Sequence, residues 1–392
     1  MAHRSARTLK VSRFGNPTLI AVIALGSANH VVLTGNRIAV SLEALKLGAS
    51  TAVLGVLLAL YALLPMLCAV AAGRYSDRVG VRQPMFAGSL GLVVGAAIPF
   101  LLPGLSALFV SATLVGVAFM VFQVAVQNAT GELGDAQARA HNFSLLALGY
   151  SISGFLGPLI AGFTIDHGGF ALAFAVLAAI PLVPVAVLGS GRLALPGPYP
   201  EHAAETAGSV FELVTHPKLR GVFAVNVLLA MAWDLHLIFV PVYGAKIGLS
   251  ASEIGLILAS FAAATFVIRV AMRWIVRRFR EHQVLALALF IAGIVYLLFP
   301  FSREAGTLMA LSFCLGLGLG MSQPMVMSLL HSHAPPGRMG EAAGVRMSLV
   351  QSMAVAVPLV FGALGATVGL MPVFWSVGVC LATGGWLTKR AG

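Results

Sequence analysis

Charge is what this chain has least of. Asp, Glu, Lys and Arg make up 9% of its 392 residues, against 59% hydrophobic side chains and a mean hydropathy of +0.96. Typical soluble domains are about 25% charged, so the deficit excludes an ordinary water-soluble globule or a soluble enzyme built on a large core. Cysteine is nearly missing as well. Cys68, Cys314 and Cys380 fall inside apolar runs, far apart and in no metal-ligand spacing, so they read as small buried residues, with neither a disulfide framework nor a metal site. There is no nucleotide-binding loop, no nucleophile elbow, no H-E-x-x-H and no carboxylate pair, which leaves acid–base catalysis without tools and implies no cofactor. Period-2 strand patterns are absent too, which excludes a membrane barrel.

What is present is apolar sequence in long pieces. Uncharged stretches of roughly 18 residues or more recur along the chain, each long enough to cross a hydrocarbon core of about 30 Å. Backbone groups in lipid must be satisfied within the segment, so these are helices. Apolar runs and their breakers give an all-α integral membrane protein of twelve transmembrane helices, near 18–42, 51–72, 84–102, 106–128, 141–165, 169–189, 219–244, 253–272, 284–300, 306–330, 341–366 and 370–387. The first run is too long for a signal peptide and no small-residue cleavage site ends it, so it is kept as a mature helix. Residues 1–17 read as a tail, 18–189 and 219–392 as two six-helix bundles, and 190–218, the long polar stretch with Pro196, Pro198, Pro200, Glu201, Glu205 and Glu212, as the loop between them.

The net charge of +11 invites a nucleic-acid reading, but the positions of the bases argue against one. Arg4, Arg7, Lys10 and Arg13 precede the first span, and Lys389 and Arg390 follow the last. Arg74, Arg78, Arg82, Arg139, Arg192, Lys218, Arg220, Arg273, Arg277, Arg278, Arg280 and Arg338 fall in alternate loops, while the opposite loops hold Lys46, Lys246 and Arg303. That asymmetry is a topology signal. It expects both termini in the cytoplasm of a multi-pass inner-membrane protein whose partner is the bilayer.

Between the runs 51–72 and 85–102 lies a dense charged cluster, Gly73-Arg74-Tyr75-Ser76-Asp77-Arg78-Val79-Gly80-Val81-Arg82. Gly80 suits a φ > 0 turn. The cluster resembles the motif G-x-x-x-D-R-x-G-R-R between helices 2 and 3 of the major facilitator superfamily of secondary transporters, with Val81 in place of a base. The resemblance implies a gating loop made by Gly73, Asp77, Arg78, Gly80 and Arg82. Asp77 is expected against the start of span 11 near Gly340 and Glu341, and Arg78 against Glu132. Gly149, Gly154, Gly157, Pro158 and Gly162 on span 5 resemble the glycine- and proline-rich motif of antiporters in that superfamily; here they imply tight packing on span 8 and a bend at Pro158. Span 4 departs from the pattern of proton-coupled exporters. It has no buried arginine and offers Gln123, Gln127 and Asn128 instead.

The chain also resembles itself. Gly48 and Gly55 match Gly248 and Gly255, Arg78 and Gln83 match Arg278 and Gln283, and Gln123 matches Gln323, all at an offset of 200. Two six-helix pseudo-repeats around a central cavity near the bilayer midplane are what the superfamily resemblance implies.

An ionisable residue inside a span is a candidate functional group. Asp234 lies roughly 22 Å along span 7 and shares a face with Asn226, Ala230 and Trp233. It is expected to carry a proton, with a fixed ion pair to Arg37 or Arg346 as the alternative. Asn29 and His30 lie near the midplane, His30 as a second candidate for proton coupling, while Arg37 is expected to snorkel to the outer interface and Arg269 to join the basic cluster after span 8. Gln123, Gln127, Gln323, Arg346 and Gln351 complete the expected cavity. Met321, Met325 and Met327 with His331 and His333 offer soft ligands for Cu(I), but packing is the commoner use of membrane methionines. These readings combine into a monomeric secondary transporter using alternating access, a proton-coupled exporter of a small molecule. The alternative is an importer or facilitator of a small metabolite, or of Cu(I), in which Asp234 is structural.

Overall fold

The computed structural model describes residues 16–133, 138–197, 210–334 and 339–391. Within them the chain forms α1 (Pro17–Lys46), α2 (Thr51–Val79), α3 (Arg82–Leu101), α4 (Leu105–Glu132), α5 (Ala138–Ala179), α6 (Leu182–Gly189), the short α7 (Val210–Thr215), α8 (Pro217–Lys246), α9 (Ala251–Arg278), α10 (Glu281–Leu298), α11 (Ala305–His333), α12 (Met339–Thr367) and α13 (Leu370–Ala391). Eleven stretches of the described residues are long and apolar enough to cross a membrane. The longest of them turns at Gly169 (φ 74°, ψ 179°), a left-handed position that glycine adopts without a Cβ penalty, so it is read as two crossings and the described residues as twelve passes. An even number of passes puts the start of α1 and the end of α13 on one face, here the terminal face; the other is the far face.

The repeat is written into the backbone. Gly48 (φ 82°) and Gly248 (φ 84°) end the turns after α1 and α8, and Gly169 and Gly369 (φ 84°) do the same 200 residues apart. Ser50 and Ser250 cap α2 and α9 with nearly identical angles, −68°/161° and −67°/160°. Each serine oxygen accepts the amide three residues on, from Val53 at 3.3 Å and from Glu253 at 3.2 Å.

Helices α1–α6 form one half and α8–α13 the other, and they meet along two seams, α2 on α12 and α5 on α9. Lipid offers no hydrophobic drive for helix association, so the seams depend on small residues that let backbones approach. A Cβ on Gly55 would lie 2.2 Å from the Pro358 carbonyl oxygen, and one on Gly255 would lie 2.5 Å from that of Pro158. Gly362 abuts Thr51 and Gly162 abuts Ala251 in the same way, with a Cβ at 2.8 and 2.4 Å from their carbonyl oxygens. All of these contacts sit near the starts of α2 and α9, at the far face.

Several expectations need correction. The charged cluster is not a loop for most of its length: α2 runs on to Val79, and the turn is confined to Gly80 (φ 80°) and Val81. The Arg82 guanidinium donates to the carbonyls of Leu188 (3.0 Å), Gly191 (3.2 Å) and Leu193, holding the end of α6 against the start of α3. Arg78 is exposed and Glu132 ends α4 half-buried, while the side chains of Arg74, Asp77 and Glu341, and the surroundings of Gly73 and Gly340, lie outside the described residues. Cys68, Cys314 and Cys380 are exposed, since they sit on outward-facing helix sides. Gly157 packs on α1, not α9: a Cβ there would meet Thr34 Oγ1 and the Val31 carbonyl.

Candidate functional site

A cavity of about 680 Å³ lies between the halves, walled by α1, α2, α4, α5, α8, α9, α11 and α12. Its far end is made by Ile38, Leu58, Tyr61, Ile238 and Leu258, of which all are buried. Toward the terminal face its walls carry Gln127, Gln323 and Met347, and these are exposed. The cavity is therefore open on the terminal side and sealed on the far side by the two glycine seams.

The first half supplies an aromatic and amide wall. On α1, His30 packs its ring against Tyr150 (4.8 Å between centroids) and Phe119 (5.6 Å). Its Nδ1 lies 2.7 Å from Ser153 Oγ, and that hydroxyl donates to the carbonyls of Gly149 and Tyr150 at 3.1 Å. These contacts fix the orientation of the imidazole in the cavity wall. Tyr150 OH donates to Gln123 Oε1. About two turns beyond His30, Arg37 lays its guanidinium 5.2 Å from the centre of the Tyr61 ring. Tyr61 is itself held by donating to Asn36 Oδ1 at 2.5 Å.

The second half supplies the acid. Trp233 stands edge-on to Phe261 at 4.8 Å, and Asp234, next along α8, is half-buried in the cavity wall. Among the described residues Asp234 has no hydrogen bond and no ion pair within 4 Å, and Arg37 across the cavity is the cation whose field reaches it. Arg346 on α12 is 7% exposed and donates from Nη1 to Asn226 Oδ1 at 3.3 Å. Arg269 on α9 crosses to the first half, donating to Ser151 Oγ (2.6 Å) and the Ala147 carbonyl (3.3 Å). The described lining thus holds three guanidiniums and one carboxylate. Pro158 cannot donate to the Gly154 carbonyl one turn back, nor Pro358 to that of Ala354, and all four residues line the same cavity.

The cavity lies deep between two six-helix repeats, sealed on one face and open on the other. The family model of the Major Facilitator Superfamily matches residues 19–358. The chain belongs to the Major Facilitator Superfamily. It is 26% identical over 324 residues to the tetracycline resistance protein of class C from Escherichia coli, covering 80% of each chain. It is 24% identical over 343 residues to the class G protein from Vibrio anguillarum, covering 83% of this chain and 84% of the relative. Among solved structures, a peptide transporter with bound sulfate superposes with a TM-score of 0.81 at 16% identity, covering 96% of this chain and 95% of the other. A second peptide transporter, bound to a thioalcohol-conjugated peptide, gives 0.79 at 14% identity over 97% of each chain. At these identities the structures share the fold alone. This member of the superfamily is a multi-pass membrane transporter.

Most of the residues expected at a superfamily cavity line this one: His30, Gln123, Gln127, Asn226, Trp233, Asp234, Gln323, Arg346 and Gln351, with Gly154 and Pro158 in the wall. Asn29 does not. It is fully buried between α1 and α3, donating to Ser89 Oγ at 2.8 Å, because the next position along a helix points about 100° away from its neighbour. Arg37 and Arg269 also depart from expectation. Neither escapes to an interface; Tyr61 and Ser151 give each a partner within the cavity wall. Met321 and Met325 are buried in the packed core. Tyr61 and Tyr150 were not legible as cavity residues, since an aromatic in an apolar run carries no directional signal of its own.

Proposed function

We propose that this transporter is a proton-coupled exporter of a small molecule in a bacterial inner membrane, with its terminal face in the cytoplasm. The observation that carries this reading is Asp234, the one carboxylate among the described residues lining the cavity, half-buried and held by no partner. An acid in a low-dielectric wall with no fixed counter-ion can bind a proton from one face and give it up to the other. The excess of Lys and Arg in the terminal-face loops supports the orientation. The names of the similar tetracycline resistance proteins support export over import. With the cavity open to the cytoplasm, substrate enters beside Trp233, Phe119 and the Gln123–Gln323 pair. Opening of the far-face seams then exposes substrate and Asp234 to the outside, where a proton replaces the substrate before the return.

The test is flux in proteoliposomes holding the purified protein, under an imposed pH gradient, across tetracycline and a panel of organic cations, sugars and amino acids. D234N is expected to abolish gradient-driven flux of whichever compound is moved while leaving its binding intact. Unchanged pH-dependent flux in D234N sinks the reading. A second reading, import or facilitation of a metabolite, draws on the three cavity arginines. A negatively charged substrate on Arg37 or Arg346 favours a neutral Asp234, so proton and substrate would bind together and travel the same way. The direction of proton movement during flux separates the two.

A further inference from the structure

The first amides of a helix have no partner within it and must be satisfied from outside. At the start of α9 all four are. Ser250 N donates to Glu253 Oε2 (2.8 Å) and Glu253 N to Ser250 Oγ (3.2 Å), a reciprocal capping box within α9's own half. Ala251 N and Ser252 N donate to Asp166 Oδ1 (3.0 Å) and Oδ2 (2.7 Å). Asp166 belongs to α5, in the other half of the molecule. It lies at the far face, one turn beyond the Gly162 contact, where its charge also meets the positive end of the α9 dipole.

The sister seam lacks this device. The residue 200 positions after Asp166 is Ala366, exposed at the end of α12 opposite the start of α2. There the cap is Ser50, which lies in α2's own half, and Thr51 Oγ1 is buried with no hydrogen-bond partner among the described residues. When the halves part at the far face, the Ser50 and Ser250 caps travel with their helices and survive. The Asp166 bonds cannot, because donor and acceptor move apart.

We propose that Asp166 is the latch of the far-face gate: its carboxylate holds the α5–α9 seam shut through the Ala251 and Ser252 amides, and the α2–α12 seam closes by shape without a latch. The latch acts whichever ion or substrate the cavity carries.

Spin labels in a C68S/C314S/C380S background read the two seams by double electron–electron resonance in nanodiscs. H167C with K246C flanks the latched seam, and L47C with V368C flanks the other; all four positions are exposed. Loss of a two-bond charged cap is expected to raise the far-face-open to far-face-closed ratio by about tenfold in D166A. D166N keeps one acceptor and should fall between D166A and the parent, and it serves as the reading where D166A does not survive purification. The decisive variant is A366D. Added to D166A or D166N, it places a carboxylate opposite the start of α2 and should return the far face to the closed distribution at both pairs. A purely structural role for Asp166 would not be rescued from the other seam. Unchanged distributions on removing Asp166, or a folded double variant that stays open, overturn the proposal.

Discussion

The two seams are the same contact built twice, and they differ by one carboxylate. Gly55 meets Pro358 as Gly255 meets Pro158, and Gly362 meets Thr51 as Gly162 meets Ala251. Each seam sets a glycine on one helix against the carbonyl of a proline that cannot complete its own helical ladder. Shape alone therefore brings the halves together on both sides. Charge enters on one side only, where Asp166 takes two amides of α9 and Ala366 offers nothing to α2. Pseudo-symmetry fixes where a gate closes, and a departure from it decides what holds the gate.

Substitutions that fill the seams should act most strongly. G55V and G255V each place side-chain atoms where even a Cβ would lie 2.2 or 2.5 Å from a proline carbonyl oxygen. Backbone there cannot yield as a flexible side chain would, so each is expected to prop the far face open and cut transport by well over tenfold, on the order of the 1–3 kcal/mol cost of overpacking or more. Because both seams join the same two halves, either variant should lengthen the distances measured at both. Lengthening at one seam alone would mean that the seams move independently.

The serine caps show the same asymmetry at smaller scale. S50A removes the cap that α2 has, at a cost of about 1 kcal/mol. S250A leaves Asp166 on two of α9's amides, so its cost should be roughly half or less of that figure. Thermal unfolding of the two variants in the same detergent checks the order, and a larger loss in S250A would count against the special role given to Asp166.

Much of this architecture was legible in the sequence. Apolar run length gave the twelve passes, and the offset of 200 that pairs Gly55 with Gly255 also pairs Pro158 with Pro358 and Gly162 with Gly362, which are the seam partners. Depth along a span located the cavity residues from His30 to Arg346. Azimuth was not legible from depth: Asn29 and His30 are neighbours in sequence at one level of the membrane, yet one is sealed against Ser89 and the other faces the cavity. Interface rules pulled Arg37 and Arg269 outward, because a local window cannot see Tyr61 or Ser151 waiting on other helices. Asp166 went unread for a related reason. An acid at the end of a span looks like ordinary interfacial polarity until the start of α9 is seen to lie within hydrogen-bond reach of it.

Coupling of the gate to a proton on Asp234 can be tested without knowing the substrate. The L47C/V368C distance, followed from pH 8 to pH 5.5 with and without D234N, reads the far face as the acid titrates. In a proton-driven exporter the proton-loaded carrier must return to the terminal-face-open state. Lowering the pH should therefore shift the parent toward the short, far-face-closed distance, and D234N, permanently neutral at that position, should show the short distance at every pH. A pH response in D234N equal to that of the parent would mean that Asp234 does not couple the gate to the proton.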